Sequence, residues 1–239
     1  MDSLKDIISD IRVFLYGGIL TLPLTIAGTL SILGLFTANY AILFFLLGFL
    51  FLAPLGASVI NYIGGALFGG SNIFKAKTGE VCRVAIPFST LKSPVGVTDG
   101  TVISSSWIAM ITFFIGYIFT NGLELYNREA EDTTINVTSS AASDITTMTS
   151  NRKSQAIVAM VSTIVFGLIV LGFRFYTGCE STFGMVLTTI IFVFTGHSWY
   201  KALSKVGEDR LSDLFGIANR LLPPSAINNA PIACIPVEV

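Results

Sequence analysis

Apolar residues are concentrated in five blocks along the chain, and none of these blocks has Asp, Glu, Lys or Arg in its interior. Each block is close to the roughly 20 residues that an α-helix needs to cross the hydrocarbon core of a bilayer. Inside a bilayer the backbone must satisfy its own hydrogen bonds, so such blocks are expected to be helical. The pattern therefore predicts an all-α polytopic membrane protein with about five transmembrane helices, at residues 16–36, 40–62, 102–120, 156–173 and 183–200.

Two further segments, one at each end of the chain, are amphipathic rather than uniformly apolar. Within residues 1–15, apolar side chains recur at helical spacing opposite Asp and Lys, which predicts an N-terminal helix lying in the membrane interface. A similar pattern begins the C-terminal region, residues 201–239, and Leu214 and Phe215 lie on its apolar face. We expect these two side chains to contact lipid or a partner protein.

The first two spans are predicted to form a transmembrane hairpin over residues 16–63, because only three residues separate them. Pro23 and Pro54 each lie about 23 Å from this turn at 1.5 Å per residue, so both helices are expected to kink at a similar depth. Two interpretations are open. Broken helices flank the substrate site of some transporters, whereas proline is also simply more frequent in membrane helices than in soluble ones.

The segment between the hairpin and the third span, residues 64–101, is predicted to be a Gly-rich basic loop. The side chains of its four basic residues are expected to contact anionic lipid headgroups or an acidic protein surface. The four are Lys75, Lys77, Arg83 and Lys92.

A second long segment, residues 122–155, separates the third span (102–121) from the fourth and fifth (156–200). Ser and Thr make up 10 of the 18 residues from 133 to 150, so this segment has little to bury and is predicted to be a solvated loop. Asn136 begins an Asn-Val-Thr glycosylation sequon, which is used only if the loop faces a lumen or the cell exterior.

Composition narrows the class of function. Hydrophobic residues make up 52% of the 239 residues and charged residues 12%, whereas soluble domains carry about 25% charged residues. This excludes an ordinary soluble enzyme, and a formal net charge of −1 leaves no basic excess for a nucleic-acid partner. Cys82 and Cys179 lie on the same side of a five-span protein, where they either pair in an oxidising compartment or remain free thiols.

The chain offers few residues for catalysis. Its single histidine, His197, lies in a Thr-Gly-His-Ser sequence that loosely resembles the central motif of membrane phosphatidic-acid phosphatases. That family forms a phosphohistidine on a second histidine, which this sequence lacks. A Ser-His-Asp hydrolase would draw on Ser104, Ser105 or Ser106, which a five-span topology places across the membrane from His197. The sequence therefore predicts no catalytic residue, no cofactor and no metal site.

Four stretches carry a second resemblance: SSWIAM at 105–110, FFIGY at 113–117, GHSWY at 196–200 and RLSDLFGI at 210–217. They resemble multi-pass membrane proteins of large nucleocytoplasmic DNA viruses. This resemblance implies a membrane protein made in the infected cell and placed either in the internal membrane under a capsid or in a host endomembrane. Its expected partners are the lipid bilayer and capsid or other membrane proteins, and a homo-oligomer is compatible with it.

Three functional hypotheses follow. The first is a non-enzymatic structural or scaffold component of a membrane, most simply a viral one. The alternative is a small transporter or channel built on the Pro-kinked hairpin. A lipid phosphatase-like enzyme is a distant third.

Overall fold

The computed structural model describes residues 17–68, 103–127, 139–177, 181–207 and 209–214, and these are organised as helices without a strand. After a helical segment at 17–20, the elements are listed here in chain order. They are α1 (Leu22–Phe36), α2 (Tyr40–Leu47), a π turn (Gly48–Leu52), α3 (Ala53–Phe68), α4 (Ser106–Asn127), α5 (Ser139–Thr177), α6 (Thr182–Gly207) and α7 (Asp209–Ser212).

Among the described residues, four helices are long and apolar enough to cross a membrane, and α1 is a shorter apolar helix. The four are Tyr40–Leu67, Ser106–Asn127, Ser150–Tyr176 and Thr182–Gly207. They coincide with the second to fifth predicted blocks, and α1 lies within the first block. The prediction of an all-α polytopic membrane protein is confirmed.

Helix α4 lies at the centre of the bundle. In the most apolar 18-residue stretch of α4, 67% of the residues are buried. The corresponding share is 22% in the span within α5 and 28% in α6. Its most extensive contacts are with α5 and α6, and it also packs against α3 and the π turn. Because α4 is covered on most sides by protein, its neighbours supply most of the surface that faces lipid.

Close contacts at glycines give the directions of α3 and α6 relative to α4. Near the start of α4, Ile103 lies against Gly64 of α3 and Gly184 of α6. Further along α4, Phe113 lies against Gly48 in the π turn and against Gly196 of α6. The α2–α3 helix therefore runs antiparallel to α4, whereas α6 runs parallel to it.

Helix α5 returns antiparallel to α4. Gly122 near the end of α4 faces Met160, and Ile115 in the middle of α4 faces Gly167. This direction agrees with the order of the chain, since α5 connects α4 to the parallel helix α6. Most of its large apolar side chains face outward, including Val158, Leu168 and Ile169.

The turn between α1 and α2 is formed by three residues with distinct roles. Thr37 closes α1, and Ala38 takes a left-handed backbone conformation with φ of 48°. Asn39 then caps α2, because its side-chain oxygen accepts hydrogen bonds from the backbone N–H groups of Ala41 and Ile42.

Both prolines of the hairpin lie at interruptions of helical geometry. The Ala53 N–H bonds to the carbonyl of Gly48, five residues earlier, and Pro54 follows within the first turn of α3. Proline has no N–H to continue the α-helical pattern, which accounts for the π turn before it. Pro23 lies in the first turn of α1, two residues after Thr21, where the helical geometry is interrupted.

The loop predicted over residues 122–155 is wrong for residues 122–127, which end α4, and for residues 139–155, which form the first part of α5. Ser and Thr are only modestly poorer helix formers than most residues. Extending a helix is also much easier than nucleating one, and the apolar span that follows supplies the stable helix. Arg152 on this part of α5 and Ala156 directly after it are buried, so tertiary packing supports the extension.

The C-terminal region also differs from its prediction. Helix α6 continues through residue 207 instead of ending where the predicted interfacial helix begins at 201, and the short α7 follows. Several predictions lie outside the described residues: the 1–15 helix, Lys75, Lys77, Arg83, Lys92, Asn136, Phe215, Cys82 and Cys179.

Candidate functional site

Helices α4 and α6 cross at two glycines, which allow their backbones to touch. A Cβ atom at Gly116 would overlap the carbonyl oxygen of Val193, and one at Gly196 would overlap the carbonyl oxygen of Phe113. Small residues at a crossing permit this close approach in membranes, where the gain comes from van der Waals packing rather than from water release. This reciprocal contact sets the register of the two helices, and therefore determines which side chains of α4 and α6 face each other beyond the crossing.

Beyond the crossing, toward the C-terminal ends of both helices, two polar pairs join α4 to α6. Thr120 contacts His197 at 3.1 Å between Oγ1 and Nδ1. One turn further along, Glu124 forms an ion pair with Lys201. Because α4 and α6 run parallel, Thr120 and Glu124, four residues apart on α4, face His197 and Lys201, four residues apart on α6. We call these two pairs the polar ladder.

The hydrogen bonding assigns the tautomer of His197. The Thr120 hydroxyl donates its only proton to the Gly116 carbonyl at 2.7 Å. The contact with His197 therefore requires Nδ1–H to donate to Thr120 Oγ1. In the neutral imidazole this leaves Nε2 without a proton and able to accept a hydrogen bond.

The outward side of this ladder is a shallow groove along α6. It runs from the exposed ring of Phe194, past His197, to the ammonium groups of two lysines. Its lining residues are Phe194, His197, Ser198, Lys201, Ala202 and Lys205. The groove is thus apolar toward the middle of the span and basic toward its end.

The segment after α6 folds back onto this end of the bundle. The Tyr117 hydroxyl donates to the carbonyl of Ser212 at 2.9 Å, and the ring of Tyr117 packs edge-on against Tyr200, with 5.3 Å between centroids. Leu214 is only 2% exposed and belongs to the main apolar core. Leu214 therefore contacts its own chain rather than lipid or a partner, contrary to the prediction for this residue.

At the opposite end of the bundle, Asn61 of α3 anchors the entry to α4. Its side-chain oxygen accepts hydrogen bonds from the backbone N–H groups of Ile103 at 3.0 Å and Ser104 at 2.8 Å. Its amide donates to the Ser104 carbonyl. Asn61 thereby satisfies backbone groups that precede the first turn of α4.

The same end holds a cation against an aromatic ring. The Arg174 guanidinium lies 4.8 Å from the centre of the Trp107 ring, a cation–π geometry. The Trp107 indole N–H donates to the Leu20 carbonyl at 3.1 Å. These contacts tie α5 and the chain before α1 to the start of α4.

The residues that a hydrolase would need are far apart. Ser106 begins α4, whereas Thr120 contacts His197, a separation of about 21 Å along the helix axis at 1.5 Å per residue. Within the described ranges, no group of three His, Cys, Asp or Glu side chains is placed to hold a metal ion.

Two of these contacts were missed from the sequence. Glu124 lies four residues after the third apolar block, and Lys201 directly follows the fifth. In a five-span topology both block ends face the same side, so opposite charges there were a usable signal for an ion pair. Arg174 and Trp107 likewise lie at block ends that share the other side.

The fold and its polar contacts define an all-α integral membrane protein with a buried central helix. No protein-family model, curated protein or solved structure matches the chain. The resemblance to membrane proteins of large nucleocytoplasmic DNA viruses stays a prediction.

Proposed function

We propose that this chain is a non-enzymatic structural or scaffold component of a membrane. One observation carries the proposal: the centre of the bundle is filled. Side chains of α4 from Trp107 to Tyr117 are largely buried. Phe45, Phe49 and Phe113 are fully enclosed beside Tyr117.

The aromatic side chains pack directly on one another. Phe45 lies 5.5 Å from Phe49, 6.0 Å from Phe113 and 4.9 Å from Tyr117, measured between ring centroids. A solute path through a single chain needs polar groups that replace hydration. Rings in mutual contact along the central helix leave little space for such a path, so this interior favours a role in holding a membrane structure together.

Charged groups of the spans lie near helix ends rather than at mid-membrane. Glu124, Lys201 and Arg174 are each within a few residues of the end of an apolar block. Ionisable residues on transport paths typically lie deep inside the span. The placement supports a structural role, and the viral resemblance directs the proposal to a membrane enclosed by a capsid.

The alternative, a small transporter or channel, is favoured by the interrupted helices of the hairpin. The π turn Gly48–Leu52 and the break at Thr21 both lie in apolar segments, and π turns are frequent at functional sites. However, Phe49 within the π turn is fully buried against the aromatic cluster.

A flux measurement separates the two functions. Purified protein in vesicles should pass protons, potassium and chloride no faster than protein-free vesicles, because the bundle interior is filled. The Pro54→Ala variant, which restores an N–H to α3, should behave in the same way. Protease accessibility provides the control for insertion. Protein-dependent flux that Pro54→Ala reduces would establish transport through the hairpin and overturn the scaffold proposal.

A further inference from the structure

We propose that the groove along α6 binds the headgroup of an anionic phospholipid, with the phosphate held by Lys205 and Ser198 and the upper acyl chain lying on Phe194. This inference goes beyond the scaffold function, since such a site can serve a structural protein or a transporter. It rests on the order of polarity along the groove, on charge, and on the orientation of His197.

The order of side chains matches the order of groups in a lipid leaflet. Phe194 is 70% exposed and lies deeper in the span, followed by Ser198 and then Lys205 near the end of α6. Phe194 and Lys205 are 11 residues apart, which corresponds to about 16 Å along the helix. The acyl chain of a lipid lying beside α6 would therefore contact an apolar surface. Its phosphate would lie near the hydroxyl and ammonium groups, which donate hydrogen bonds.

The residues that the structure describes do not fully compensate the charge of the groove. Lys201 is paired with Glu124, but Lys205 is exposed and forms no ion pair with any residue that the structure describes. An uncompensated ammonium group at the membrane interface attracts anionic headgroups, by about 1 kcal/mol for each basic residue. This complementarity selects an anionic lipid over a zwitterionic one.

His197 lies at a fixed position in the groove. Its Nδ1–H is committed to Thr120, so the ring is held by α4 while it lines the groove on α6. In the neutral form of the ring, Nε2 is the nitrogen that accepts a hydrogen bond from a headgroup hydroxyl. Phosphatidylglycerol carries both the anionic phosphate and such hydroxyls, and it is therefore the appropriate probe.

The test is native mass spectrometry of the full-length protein, purified in detergent and exposed to equal amounts of phosphatidylglycerol and phosphatidylcholine. The wild-type protein should retain phosphatidylglycerol preferentially. Lys205→Gln should lower this preference about fivefold, the factor that corresponds to about 1 kcal/mol.

Lys153→Gln is the matched control. Lys153 lies at the same end of the bundle on α5, where its ammonium group is 5.8 Å from the centre of the Tyr126 ring. Both lysines are exposed, so neither substitution should disturb folding. The control should keep the wild-type preference. An unchanged preference in Lys205→Gln, or an equal loss in both variants, would overturn the proposed site.

Discussion

Replacing Gly116 with alanine should destabilise the protein by about 2–3 kcal/mol and lower its melting temperature in detergent by about 5–10 °C. The added Cβ would overlap the Val193 carbonyl oxygen, a backbone atom that cannot rotate away. Helices α4 and α6 must then separate, which also lengthens the contacts of Thr120 with His197 and of Glu124 with Lys201. Scanning fluorimetry of the purified protein measures the shift.

Gly172→Ala is the matched control because a Cβ at that position on α5 would meet no atom within 4 Å. Alanine is the better helix former, so this variant should melt at or slightly above the wild-type temperature. Gly196→Ala, on the other side of the crossing, should behave like Gly116→Ala. If Gly116→Ala and Gly172→Ala melt at the same temperature, the close crossing of α4 and α6 is wrong.

Introducing a charge at Leu214 should prevent folding, rather than only block assembly with a partner. Leu214 is buried in the main core beside Asp213, which is itself buried. Leu214→Ala alone should cost about 2–5 kcal/mol, the usual range for a core leucine. Leu214→Asp adds a desolvated carboxylate next to an existing one, which costs considerably more. The expected result is aggregated protein on size-exclusion chromatography after detergent extraction.

Val206→Asp controls for the effect of a new charge at this end of the molecule. Val206 lies in the last turn of α6 and is 81% exposed, so the variant should remain monodisperse. A Leu214→Asp protein that is monodisperse, melts like wild type and fails only to assemble would place Leu214 on a partner surface, as its position on an amphipathic pattern first predicts.

The membrane class was predictable because it depends on composition over whole segments. Twenty apolar residues without a charge leave few structures other than a membrane helix. The register between helices was not predictable. Apolar side chains lie on every face of a span, so they do not mark the face that contacts another helix. The sequence has 22 glycines. Nothing in their spacing separates Gly116 and Gly196, which permit the α4–α6 crossing, from Gly172, where an added Cβ would meet no atom within 4 Å.

Errors in the prediction have identifiable physical causes. Residues 139–155 have the composition of a loop. The helix formed by the apolar span after them nevertheless extends toward the N-terminus through this Ser/Thr-rich segment. Leu214 follows an amphipathic pattern that is equally compatible with lipid and with a protein core. The choice depends on where the chain goes after α6, which periodicity alone does not specify. His197 was visible as the only histidine, but its partner Thr120 depends on the glycine crossing.

The central claim, a structural membrane component, is tested most directly by counting copies. Quantitative mass spectrometry should be applied to purified virus particles and to membranes of the producing cells, before and after mild detergent. We expect many copies in each particle and retention with the protein shell after the lipid is removed. Detection in cellular membranes alone, or complete release with the lipid, would contradict a structural role in such a particle.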